Sequence, residues 1–167
     1  MKISVIYHSE TGNTKRVAEI IAEGARLGGE VEVKGMTLDE VDQAFVENSK
    51  AVIIGCPTIR GSCSWQMKKW VGTTRVKLAG KIGSVFATEN YIGGGADFTE
   101  LELISRLLVI GMLVYSGGTS WGQPFTHYGA VAIKDGDEPQ RERAKLFGER
   151  IARKTLELFG KDDANPA

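Results

Sequence analysis

An open α/β fold, with a parallel sheet wound in both directions and helices on both faces, is what this sequence predicts. Three observations carry the expectation. Short apolar runs alternate with amphipathic helical stretches, giving five strand–helix units along the chain. The runs are nearly continuous in apolar residues, as in Ala51–Gly55, which suits strands covered on both faces. The chain has 167 residues, a length for one domain that buries ~70% of its unfolded surface. Right-handed crossovers between parallel strands then distribute the helices over both faces. The domain is expected over residues 1–160, with 161–167 a frayed C-terminal tail.

The elements follow in order. The first strand is expected at Lys2–Tyr7. A helix follows over Asn13–Leu27, with Val17, Ala18, Ile21 and Ala25 on one face and Gly28-Gly29 ending it. The second strand is placed at Glu30–Lys34. Thr37 with Glu40 reads as a capping box for a short helix through Val46. The third strand is Ala51–Gly55, and a helix follows near Trp65–Val71. The fourth strand is Ile82–Ala87. The next helix spans Phe98–Ile110, with Asp97 as N-cap. The fifth strand is Met112–Ser116. A long segment, Gly117–Tyr128, leads to a further apolar run, Ala130–Ile133. The last helix starts at Asp137, with Pro139 in its first turn and Ala144, Phe147, Ile151, Leu156 and Phe159 as its buried stripe.

Composition limits the function. Lys and Arg total 21, as do Asp and Glu, so there is no basic field to attract nucleic acid and no acidic field for a basic partner. No stretch reaches the ~20 apolar residues of a membrane span, and the N-terminus has no apolar leader. Cys56 and Cys63 form neither a C-x-x-C pair nor a metal spacing, so a reduced cytoplasmic protein is expected.

In an open α/β sheet, ligands bind beyond the carboxyl ends of the strands, where the strand order switches. Three loops at those ends look specialised. Ser9-Glu10-Thr11-Gly12-Asn13-Thr14 joins the first strand to its helix. Free N–H groups and the positive end of the helix dipole converge there, three hydroxyls add donors, and Gly12 lets the backbone approach closely. This is a phosphate site without a Lys or Arg of its own. It matches neither G-x-x-x-x-G-K-[ST] nor G-x-G-x-x-G. After the third strand come Pro57, Thr58, Ile59, Arg60 and Gly61. After the fourth come Thr88, Glu89, Asn90, Tyr91, Ile92 and the glycines Gly93, Gly94 and Gly95. Three glycines in a row suit main chain lying flat against a ring, and Tyr91 offers it an apolar surface.

The first loop, as [ST]-x-T-G-x-T after a first strand, resembles the phosphate loop of flavodoxin-like proteins. Pro57 to Ser62 followed by Gln66-Met67 resembles the P-T-R-[FY]-G-N…Q-M segment of the WrbA family of NAD(P)H:quinone oxidoreductases. Gly93–Gly95, Gly111-Met112 and Tyr128-Gly129-Ala130 are similar to that family as well. The resemblance implies a five-stranded sheet of order 2-1-3-4-5 and FMN as cofactor. It sets Ser9–Thr14 on the FMN phosphate, Pro57–Gly61 along the isoalloxazine, and Thr88–Gly95 against the other side of ribityl and ring. Arg60 would tune the flavin as a cation near N1, the one catalytic residue expected. The sequence departs from the family in an Ile before Arg60, in a shorter stretch from Trp70 to Lys81, and in Ile110 where a His is usual. No metal site is expected.

The function these features imply is transfer of electrons from NAD(P)H to a quinone-like acceptor. The alternative is a flavodoxin-type carrier docking on redox partner proteins. A homodimer or larger assembly is expected from the Gly-rich, aromatic segment Gly117–Tyr128. Trp121 in that segment is a further ring-side candidate, whereas Trp70, His8, His127 and Cys56 read as structural.

Overall fold

A computed structural model of the chain describes residues 1–160; the tail expected at 161–167 lies outside the described residues. In chain order the elements are β1 (Lys2–Tyr7), α1 (Asn13–Leu27), β2 (Glu32–Thr37), a 3-10 turn (Leu38–Glu40), α2 (Gln43–Asn48), β3 (Ser49–Ile59) and β4 (Ser62–Cys63). Then come α3 (Trp65–Thr73), β5 (Ile82–Glu89), α4 (Ala96–Val109), β6 (Leu113–Val114), β7 (Ala130–Ile133) and α5 (Glu138–Phe159).

The main sheet runs β2-β1-β3-β5-β6, all parallel, with β7 also beside β5. The expected order 2-1-3-4-5 therefore holds, with one difference in detail. The fifth position is shared by two short pieces. β6 pairs with the start of β5, Gly83 opposite Val114, and β7 pairs with its end, Phe86 opposite Ala130. A continuous strand over Met112–Ser116 does not form. Gly117 and Gly118 both take positive φ and turn the chain away from the sheet edge.

Side chains alternate across β3, so each face gets its own core. Ile53 joins Val5, Val17, Ile21, Phe86, Phe147 and Ile151 under α1 and α5. Val52 and Ile54 join Ile6, Met67, Val85, Leu103 and Leu107 under α3 and α4. Each such side chain contributes roughly 1.5–3 kcal/mol on leaving water. Helices α1 and α5 pack backbone to backbone. A Cβ on Gly24 would lie 1.8 Å from the Lys145 carbonyl oxygen, and one on Gly148 would lie 2.0 Å from that of Ile21. No described helix is long and apolar enough to cross a membrane.

Other expectations shift locally. β2 begins two residues later than expected because pairing with β1, Lys2 opposite Glu32, sets its register. Thr37 does bond Glu40, but that pair closes only the 3-10 turn; Asp42 caps α2 instead, accepting from the Phe45 N–H. Asp97 is not the N-cap of α4; Gly95 is. α5 starts where expected, with Asp137 as N-cap and a capping box between Asp137 and Gln140.

Candidate functional site

The loop after β1 enters α1 through Gly12, whose φ of 92° admits only glycine without strain. The Ser9 hydroxyl accepts from the Lys15 N–H at 3.2 Å. The N–H groups of Thr11 to Thr14 donate to no protein acceptor among the described residues. They form the open end of the helix dipole. Thr14 is buried and its hydroxyl lies 2.7 Å from that of Thr88 at the end of β5. One hydrogen bond thus fixes the first loop to the third.

The second loop is a hairpin, because β3 continues past Gly55 and pairs antiparallel with β4, Thr58 opposite Cys63. Arg60 and Gly61 form its two-residue turn with φ of 52° and 76°. A helix outside the sheet holds this hairpin. Glu102 on α4 accepts from the Ser62 hydroxyl at 2.8 Å and the Cys63 N–H at 3.1 Å, and pairs with Lys68 at 3.0 Å. Burial opposes ionisation of Glu102, but these bonds outweigh it and hold its carboxyl below the usual range. Thr99 on the same helix meets Thr58, hydroxyl to hydroxyl, at 3.0 Å.

The third loop leans on the second. A Cβ on Gly95 would fall 2.8 Å from the Gly61 Cα, so the two backbones touch. Glu89 turns its carboxylate onto the first turn of α4, accepting from the Ala96 N–H at 3.0 Å. His8 reaches the Ser64 hydroxyl at 3.0 Å, and Gln66 donates to Glu10 at 3.0 Å, tying the first loop to α3.

Together the three loops enclose a cavity of about 170 Å³ lined by Glu10, Thr11, Asn13, Thr14, Pro57 and Thr58, then by Ile59, Thr88, Glu89, Asn90 and Lys134. Of the residues singled out in the sequence, Ser9, Gly12, Arg60, Gly61, Tyr91, Gly93, Gly94 and Gly95 lie on the same three loops but not on this lining. Arg60 is exposed at the hairpin turn. Tyr91 is also exposed, together with Ile59, Ile92 and Phe98, and with Trp65 at the start of α3. Trp121 does not line this cavity. It lines another one, of about 310 Å³, with Tyr115, Arg150 and Lys154.

Two contributors escaped the sequence reading. Glu102 sits in a helix where a Glu carries no signal. Lys134 follows β7, in a turn that reads only as an approach to α5. Cys56 and Cys63, 3.1 Å apart, lie in the core behind the hairpin. Contact with Cys56 and then burial push the Cys63 thiol up, while the same contact draws the Cys56 thiol down.

The donor set suits a phosphorylated ligand carrying a flat ring. The Thr11 and Thr14 hydroxyls and unpaired N–H groups stand at the start of α1, Thr58 and Thr88 line the loops after β3 and β5, and those two loops touch at Gly61 and Gly95. The comparisons agree. Residues 5–99 match the family model described as Flavodoxin. The flavodoxin of Clostridium saccharobutylicum is 48% identical, over 95% of this chain and 100% of that one. The NAD(P)H dehydrogenase (quinone) of Archaeoglobus fulgidus is 31% identical, over 90% of this chain and 95% of the other. Among solved structures, the flavodoxin, WrbA-like protein of Agrobacterium tumefaciens superposes with a TM-score of 0.75 at 25% identity, covering 93% of this chain and 98% of that one.

Proposed function

The chain belongs to the flavodoxin family of FMN proteins, and from that membership we propose that it is an electron carrier that docks on redox partner proteins. Bound FMN supplies the redox chemistry. The residues do the rest. Thr11 to Thr14 bind the phosphate through N–H and hydroxyl groups, Pro57 to Ile59 line one side of the ring, and Thr88 to Asn90 line the other. The Glu89 and Glu102 bonds to backbone hold both walls before the cofactor arrives.

The observation that carries this reading is the rim. Ile59 on the cavity lining, Tyr91 and Ile92 on the loop after β5, and Trp65 and Phe98 in the first turns of α3 and α4 all leave apolar surface exposed, and Ile92 is 85% exposed. Single exposed apolar residues are ordinary, but several on touching loops favour a docking surface. A partner covering that rim would bring its own redox centre to the flavin edge.

A second reading, an NAD(P)H:quinone oxidoreductase, rests on the relatives near 30% identity and on the balanced charge of the chain, since a carrier gains from an acidic surface. The cation argued for Arg60 does not help it, because Arg60 is exposed outside the cavity lining. A stopped-flow mixture of the FMN-loaded protein with NADH or NADPH separates the two. The carrier is reduced only when a reductase is added, and a reductive titration resolves two one-electron steps. Direct reduction by either nicotinamide within seconds would replace the carrier reading with the enzyme.

A further inference from the structure

Electrostatics of the cavity leaves one residue without an assigned task. Two carboxylates line it, Glu10 and Glu89. Each is engaged with the protein: Glu89 with the Ala96 N–H, Glu10 with Gln66 and, at 3.8 Å, with His8. Bringing a phosphomonoester of nearly two negative charges into this cavity adds repulsion from both. The loop that would bind it has no Lys or Arg between Ser9 and Thr14. The cavity lining contains one cation, Lys134.

The chain holds Lys134 in place from both sides. Its N–H donates to the Glu89 carbonyl at 2.7 Å, continuing the β5–β7 pairing by one residue. Just beyond, the Gly136 N–H closes a turn on the Ile133 carbonyl at 2.9 Å. Arg141 grips Asp135 through both its backbone carbonyl and its carboxylate. Lys134 itself has φ of 55°, a left-handed conformation that glycine or asparagine adopts more cheaply. Among the described residues its ammonium has no acidic partner within ion-pair distance. A left-handed backbone thus sets at the cavity edge an exposed lysine with no acidic ion-pair partner among the described residues, beside a lining whose other charged residues are Glu10 and Glu89.

We propose that Lys134 supplies the countercharge to the FMN phosphate and so makes the site select phosphorylated over unphosphorylated flavin. This rests on the FMN reading above and adds to it a residue from the opposite end of the chain. The phosphate is held by neutral donors on α1 and balanced in charge from the β7–α5 turn. Selection then has two separable parts: a geometric one that salt leaves alone, and a Coulombic one that salt screens.

The test titrates apoprotein with FMN and with riboflavin, following quenching of flavin fluorescence from about 20 mM to about 500 mM NaCl. For Lys134→Met, FMN binding should weaken about five- to tenfold at the lowest salt, riboflavin binding should not change, and the salt dependence for FMN should flatten. Lys134→Arg should retain FMN binding. Lys134→Gly removes the charge while relieving the left-handed strain. It should keep or raise the melting temperature and still lose FMN affinity, which a merely structural role would not do. Equal weakening for FMN and riboflavin would move Lys134 to the ribityl or ring and overturn the proposal. So would an unchanged FMN affinity in Lys134→Met. Wild-type protein that binds neither flavin would instead overturn the cofactor reading itself.

Discussion

The two ends of the cavity are built on opposite principles. At the phosphate end the contacts are polar, short and buried: Thr14 and Thr88 meet inside the protein, and Gly12 sets the helix entry. At the ring end the walls are main chain, braced from behind by α4, and the side chains facing solvent are Ile59, Tyr91, Ile92 and Phe98. On the proposed reading, the polar end would fix which ligand enters and in what position, and the apolar end would leave that ligand within reach of another molecule.

Four perturbations sharpen that contrast. Thr14→Val removes a donor at the polar end and strands Thr88. FMN binding should fall by about 1.5–3 kcal/mol, ten- to a hundredfold, with riboflavin binding little changed, as read by fluorescence titration. Gly95→Ala acts at the ring end. Its Cβ would press on the Gly61 backbone from a φ of 101°, so the folded state should lose about 1–3 kcal/mol, visible as a lower urea midpoint. Here FMN and riboflavin should weaken together, because the cleft and not the phosphate site is disturbed.

On α4, with its carboxyl against Gly129, Glu100 is 1% exposed, and its Oε1 has no hydrogen-bond partner among the described residues. Burial first, and Asp97 second, push its carboxyl well above the usual range. The folded state therefore binds this proton more tightly than the unfolded chain. Stability from this group is complete below the ordinary carboxylate value of about 4.3, and is lost as pH rises toward the raised folded value. Glu100→Gln should raise the melting temperature at pH 7 and lose that advantage at pH 4; an unchanged pH profile would contradict the burial argument. The smallest effect on the fold is expected from Ile92→Ser on the rim. Stability should move by no more than about 0.5 kcal/mol, while electron exchange with a partner protein slows in stopped-flow assays.

Much of this was legible locally. The strand–loop–helix pattern around Gly12 and Thr14 was one such feature, since a helix start and its open N–H groups are encoded within a few residues. The Asp137–Gln140 cap was equally local. What escaped depends on distant partners. Arg60 looked like a tuning cation because its neighbours matched a flavin loop. Yet Ile59 pairs with Ser62 across the hairpin, so Arg60 falls in the turn itself and is exposed. Lys134 reaches the cavity lining and Glu102 the hairpin across gaps that no sequence window spans. Trp121 promised a ring contact, but Arg150 holds its segment through the carbonyls of Trp121, Gly122 and Pro124, fixing it against α5.

The divided fifth strand has a consequence for how this architecture tolerates rearrangement. Val114 and Ala130 pair with Gly83 and Phe86, which have only two β5 residues between them, yet a whole excursion of chain separates Val114 from Ala130. The sheet treats the excursion as a detour: strand pairing stops and resumes beside the same neighbour. Such a detour is a seam. Chain could be cut there, shortened to a tight link, or lengthened by a grafted peptide, with β6 and β7 still finding their places on β5. Because closure entropy grows only with the logarithm of loop length, each doubling adds about 0.6 kcal/mol. The edge of the sheet is thus a place where this fold can take new sequence while β6 and β7 keep their pairing to β5.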